Sequence, residues 1–211
     1  MSATLATTLT PPPRVAGLFL PVAMLRLRRF TRIEYHRLGE LGIIDPDEKV
    51  ELLDGYIVEK PMKNLPHLGA TRRIANRLPK YLPAGWCFQL QDPIGLSLSE
   101  PEPDATVLRG DDVVYDTRLP EPSDTGIVIE VADSSLRTDR REKGWLYAQS
   151  GIPVYWIVNV ADSQIEVYTD PDPTANPPAY LSRTDYLLGQ DVPIVLDGVA
   201  VGAIPVAELV P

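Results

Sequence analysis

Cysteine is nearly absent: Cys87 is the only one in 211 residues. It cannot close an internal disulfide, and with just two histidines no Cys/His cluster offers a zinc site. A reducing, cytoplasmic setting fits this usage. Long apolar runs are also missing. The stretch VAGLFLPVAML (15–25) is too short to span a membrane and is broken by Pro21. As a secretory signal it lacks a small-residue cleavage site, and its arginines lie downstream. Basic charge is scarce as well. Twenty Lys+Arg stand against 29 Asp+Glu, for a net charge of −9 and a pI near 4.7. That balance excludes a protein that coats nucleic acid through net charge, because phosphates are repelled. It does not exclude an enzyme whose acids are masked by metal ions.

What is present is enough apolar residue, 44%, for one packed domain. The first 30 residues hold four Arg and no acid, so the rest carries 16 basic against 29 acidic residues, or −13. Residues 1–29, with their PPPR run, read as a poorly ordered leader. Residues 30–211 read as a single domain. Thr31 and Glu34 have capping-box spacing for a helix near 31–41, with Ile33, Leu38 and Leu41 on its apolar side and Gly42 as its stop. KVELLDGYIVEK is a hairpin around the Asp54-Gly55 turn. A second helix is expected over about 66–82, with Ile74, Leu78 and Tyr81 facing the core. Arg73, Arg77 and Lys80 recur on another side.

Strands are expected at 86–91, 94–98, 105–109, 126–132 and over VYWIVNV and QIEVYTD, with a helix from Ser134 or Ser135 to Ser150. PDPTANPP reads as a loop. Two or three edge strands and a short turn complete the tail. The fold class is α/β (α+β): a mixed central sheet flanked by helices, with an N-terminal helix and hairpin and extra C-terminal strands.

Three residues carry the chemistry. Glu130 interrupts the apolar run GIVIEVA, and a buried carboxylate must be neutral, paired or bound to a cation. The plain alternative is a salt-bridged core acid. Asp104 opens the next strand upstream; alone it reads as a loop acid beside Pro103. Together the two carboxylates can converge on a hard cation such as Mg²⁺, with Mn²⁺ as its substitute. Such an ion favours phosphoryl chemistry. Lys143, about two turns into the following helix, has the reach to join them and to stabilise developing charge or orient water. Its plain alternative is a solvated lysine paired with Asp139 at i,i+4. Glu100 and Glu102 read as solvated acids on a proline-stiffened approach to Asp104.

EPDATVLRG followed by GIVIEVADSSLRTDRREKGWLYAQSGIPVYWIVN resembles the Uma-type endonuclease family of the PD-(D/E)XK, or restriction-endonuclease-like, superfamily. KVELLDGYIVEKPMKNLPHLGATRRIANRL resembles the same family's N-terminal half. The likeness covers about Phe30 to Tyr168. It implies an αβββαβ-type core and Mg²⁺-dependent hydrolysis of DNA phosphodiester bonds. It places Asp104 on the PD aspartate and Glu130 on the (D/E). The superfamily's usual lysine lies two residues after that acid, where this chain has Ala132, and Lys143 matches the family's helix-borne lysine instead.

The likeness further implies a supporting role for Glu51 toward the metal, an orienting role for Asp139, and a capping or phosphate-facing role for His67. Arg73, Arg77 and Lys80 are candidates for phosphate contacts; a solubilising helix face explains them as well. Tyr56 and Val154 depart from the family's usual acids at those positions. With no separate DNA-recognition module, a homodimer is the expected assembly. The rival reading is a catalytically silent nucleic-acid or protein interaction module on the same scaffold. Carboxylate-pair glycoside hydrolysis ranks last, since it leaves the lysine unexplained.

Overall fold

The structure, a computed structural model, describes residues 27–211. The expected leader therefore lies outside the described residues, apart from its last three positions. Those three lead into the hairpin: Arg29 pairs with Asp54 at 2.8 Å, and Phe30 N–H donates to the Gly55 carbonyl.

Helix α1 (Arg32–Glu40) carries the full capping box of Thr31 and Glu34. Its apolar side is not used as expected. No residue of α1 is buried, and Ile33 is 83% exposed. Polar ties hold it instead: Arg32 and His36 both reach Glu100, and Tyr35 OH reaches the Val50 carbonyl. Strands β1 (Val50–Leu53) and β2 (Tyr56–Glu59) pair around Asp54-Gly55, where both residues have positive φ, as a tight turn of this hand requires. Helix α2 (Leu65–Arg77) runs into a 3₁₀ turn (Leu78–Tyr81) at Pro79 and buries Ile74 and Leu78 as expected.

Strands β3 (Trp86–Gln89), β4 (Ala105–Arg109), β5 (Thr125–Ala132), β6 (Val154–Asn159), β7 (Gln164–Asp172) and β8 (Ala179–Leu187) form a six-stranded sheet in that order. Only the β5–β6 pair is parallel. The connection between them is helical: α3 (Leu136–Thr138), a π-helical turn (Asp139–Lys143) and α4 (Gly144–Gln149). From α2 to β6 the order is αβββαβ.

One face of the sheet packs on α2 and on the hairpin of β9 (Asp191–Leu196) and β10 (Val199–Pro205), with α5 (Val206–Leu209) closing the chain. The other packs on α4 through Leu146 and Tyr147. The tail strands β9 and β10 are thus not further edges of the main sheet. They bury Val192, Ile194 and Ile204 against it.

Residues 94–98 do not form the expected strand. Ile94 and Leu96 are buried, which explains the apolar pattern, but their N–H groups bond to the Pro101 and Ser99 carbonyls within an irregular segment. The expected loop over 171–178 is shorter than anticipated, since β7 continues through Asp172.

Candidate active site

The β4–β5 ladder sets the site. Its register pairs Ala105 with Ile129, which brings Asp104 level with Glu130. Sequence distance is thereby removed between two acids 26 positions apart. Asp104 is buried and both its oxygens are hydrogen-bonded. Lys63 Nζ donates to Oδ1 at 2.9 Å, the Val131 N–H donates to Oδ2 at 2.8 Å, and His67 Nε2 lies 3.1 Å from Oδ2. Burial opposes ionisation of this carboxyl. The His67 hydrogen bond and the Lys63 charge outweigh it and bring the group down to about 2.

Glu130 is the opposite case. It lies within β5, where every residue is buried. Lys143 Nζ donates to its Oε1 at 2.9 Å and Tyr147 OH donates to the same oxygen at 2.7 Å. Burial pushes this carboxyl up to about 8, and the charges of Asp139, Asp104 and Glu51 add to the push, against the opposing pull of Lys143. Lys143 also stands 3.5 Å from Glu51, so one ammonium bridges two acids. Burial disfavours its charge, but the surrounding carboxylates overcome that and raise it above the ordinary lysine range. Glu51 enters from β1 and accepts the Glu102 N–H at 3.1 Å, which ties the hairpin to the segment leading into β4.

The lysine arrives through the π turn. Gly144 N–H reaches back five residues to the Asp139 carbonyl, and Tyr155 OH donates to that same carbonyl at 3.0 Å. A Cβ on Gly144 would lie 3.3 Å from this oxygen, so glycine keeps the wide turn unobstructed. Asp139 accepts from Ser135 Oγ at 2.5 Å, and burial pushes its carboxyl up to about 6. Lys143 is therefore not a solvated partner of Asp139. Ser135 occupies the cap position, yet its hydroxyl serves Asp139 and makes no capping bond.

A cavity of about 530 Å³ joins these groups: Glu51, His67, Asp104, Glu130, Asp139 and Lys143 all line it. Eight acids and three lysines are among its lining residues. His67 is not the cap of α2, a role filled by Asn64, whose side chain accepts the His67 N–H. Its ring turns to Asp104. Arg73, Arg77 and Lys80 do not line the cavity. Arg73 reaches the Ala207 carbonyl and Arg77 pairs with Glu208, both on α5.

The sequence reading did not single out Lys63, Tyr147 or Glu166, and it placed Glu100 and Glu102 in solvent. Lys63 and Tyr147 carry no local signal. Glu100 is buried between Arg32 and His36, not solvated, and Glu102 is half-buried and paired with Lys60. Glu166 lies near the start of β7 with no exposed surface, bound by Arg140, Asn159 and Tyr168.

Among the described residues no three His, Cys, Asp or Glu side chains converge as a ready metal cage. The donor set still suits a hard cation of modest demands. Mg²⁺ uses one or two carboxylates and retains waters. Acids outnumber lysines eight to three along the cavity lining, which favours a cation there.

No curated protein matches the chain. Among solved structures, the chain is similar to a crystal structure of "a putative nuclease belonging to DUF820" from Anabaena variabilis. The TM-score is 0.53 at 14% identity, covering 76% of this chain and 88% of that one, and this likeness shows the fold. No helix among the described residues is long and apolar enough to cross a membrane. The Uma2 family model, described as "Putative restriction endonuclease", matches residues 33–201. Given a match over most of its length, this chain belongs to the Uma2 family of restriction-endonuclease-like proteins.

Proposed function

We propose that the protein is a Mg²⁺-dependent endonuclease that hydrolyses DNA phosphodiester bonds. The observation that carries this reading is the acid-rich cavity in which Asp104 and Glu130 stand level on neighbouring strands with Lys143 bonded between Glu130 and Glu51. Asp104 and Glu130 would hold the ion, with Glu51 supporting. When bound, the ion supplies Lewis-acid polarisation and neutralises charge.

The chain's own groups do the rest. Asp104 is locked in one orientation by Lys63, His67 and the Val131 N–H, so little reorganisation accompanies its use. Tyr147 fixes Glu130 Oε1 in the same way. Lys143, held cationic by its neighbours, places fixed positive charge where negative charge develops on the phosphoryl group. A wall this acidic repels a phosphodiester until cations balance it, which makes substrate binding dependent on the metal.

The test pairs calorimetric titration of Mg²⁺ and Mn²⁺ with a plasmid-cleavage assay, for wild type and Glu130→Gln. The expected result is metal binding at millimolar concentration or below, metal-dependent cleavage, and loss of both in the variant with its melting curve cooperative. Cleavage that persists in Glu130→Gln removes this residue from the mechanism. Absent metal binding in the wild type favours the silent interaction module.

A further inference from the structure

We infer that two copies of this chain associate through the free edge of β8, strand against strand about a two-fold axis at Thr184. The inference rests on backbone register and charge order, independently of the nuclease reading. β8 closes the six-stranded sheet with β7 on one side and, among the described residues, no strand on the other. A nine-residue strand with an open edge is a template for pairing.

Which groups point outward is fixed by the ladders. The Val160 N–H donates to Ala132, across to β5, so the alternate residue Asn159 turns its backbone to Gln164 on β7. Gln164 is then turned away from its β8 partner Leu187, which leaves Leu187, Asp185 and Arg183 facing the open side, up to the break in the ladder opposite Asp170. Leu187 bears this out directly: its N–H donates to the Gln190 side chain at 2.7 Å and its carbonyl accepts the Gln190 N–H, so neither group serves β7 and the chain itself closes the edge at this one residue. A second copy pairing antiparallel must therefore set odd residues against odd residues.

Charge then selects the register. Centred on Thr184, Arg183 of each copy lies opposite Asp185 of the other. Centred on Arg183 or on Asp185, like charges meet at the axis, which is destabilising. Within one chain Arg183 already donates to Asp185 at 2.6 Å, so the two groups lie side by side and can exchange partners across the axis. The charges on this edge, which in most proteins deter pairing, are arranged here to complement a second copy.

Sedimentation velocity over a concentration series tests the inference. Wild type should dimerise reversibly. Asp185→Arg should weaken the dimer about tenfold or more, since it sets four cations around the axis. Asp185→Pro should do the same while leaving the fold intact, because that N–H faces the open side and is not used by β7. An equimolar mixture of Asp185→Arg and Arg183→Asp should recover the dimer, as each strand then complements the other. Thermal melts confirm that each variant is folded. A wild type that stays monomeric throughout overturns the inference. So does a dimer unchanged in both Asp185 variants, or a mixture of folded variants that does not recombine.

Discussion

Glu166→Gln isolates how the π turn is anchored. The carboxylate accepts Arg140 Nε at 3.0 Å, Asn159 Nδ2 at 2.9 Å and Tyr168 OH at 2.8 Å, with Arg183 at 3.4 Å. Burial opposes its charge, but the bonds from Arg140, Asn159 and Tyr168 outweigh that and bring it from the ordinary 4.5 down to about 2. Linkage converts that gap to about 3 kcal/mol at neutral pH. The sign follows from a depressed folded value. The stabilisation is present in full above the unfolded value of 4.5 and is lost as pH falls toward 2. Gln keeps the volume and two of the hydrogen bonds but not the charge. Arg140 and Arg183 are about one-third exposed and can rehydrate, so the cost should be about 2–3 kcal/mol, short of the full penalty for an orphaned buried ion. Urea unfolding at pH 7 should show that loss, and the wild-type advantage should shrink below pH 4.5 and be halved near about pH 3. Arg140 lies inside the π turn with Asp139 and Lys143, so activity should fall together with stability. A loss under about 1 kcal/mol at pH 7, or one that is constant with pH, refutes the reasoning.

Lys143→Met keeps the buried stem and removes the charge; metal-dependent cleavage should drop by about 100-fold or more, measured as single-turnover rate, while far-UV circular dichroism is unchanged. His67→Ala frees one side of Asp104, and Mn²⁺ affinity by calorimetry should weaken about 10- to 100-fold, the usual cost of losing the group that orients a ligand. A Cβ at Gly126 would fall onto the Trp86 ring, so Gly126→Ala should cost about 1–3 kcal/mol and lower the melting temperature by about 2–4 °C per kcal/mol.

Local chemistry made much of the fold legible. The capping box at Thr31, the Asp54-Gly55 turn and the apolar runs of β5 and β6 each name their own conformation. Burial of Ile94 and Leu96 produced a strand-like pattern without a strand, because side-chain periodicity does not report where the backbone bonds go. Glu130 was visible as an acid inside an apolar run. Glu166, between Ile165 and Val167, offers the same signal and serves a structural network instead. The pattern therefore finds buried acids but does not assign them; only their partners do. Lys63 was illegible for a different reason: it meets Asp104 because the segment between β2 and α2 passes over the sheet, a tertiary fact with no local trace.

The position of the lysine follows from how the sheet face is packed. Two residues past Glu130, on the same face of β5, Ala132 has no exposed surface and packs with Leu146, Tyr147 and Tyr155. A lysine stem there would have to displace that cluster, at a cost of about 1–3 kcal/mol or more. The helical segment after β5 delivers the ammonium from the other side of the same packing layer and reaches Glu130 Oε1 at 2.9 Å. The delivery depends on the wide turn at Asp139, which depends in turn on Gly144, on Tyr155 and on the anchoring of Arg140 by Glu166. A cation thus stands beside the strand carboxylate although it comes from the helical segment, and the residues that place it there lie outside the cavity's acid pair. Substitutions at Gly144 or Glu166 should therefore act on the chemistry through the placement of Lys143, without touching the acids themselves.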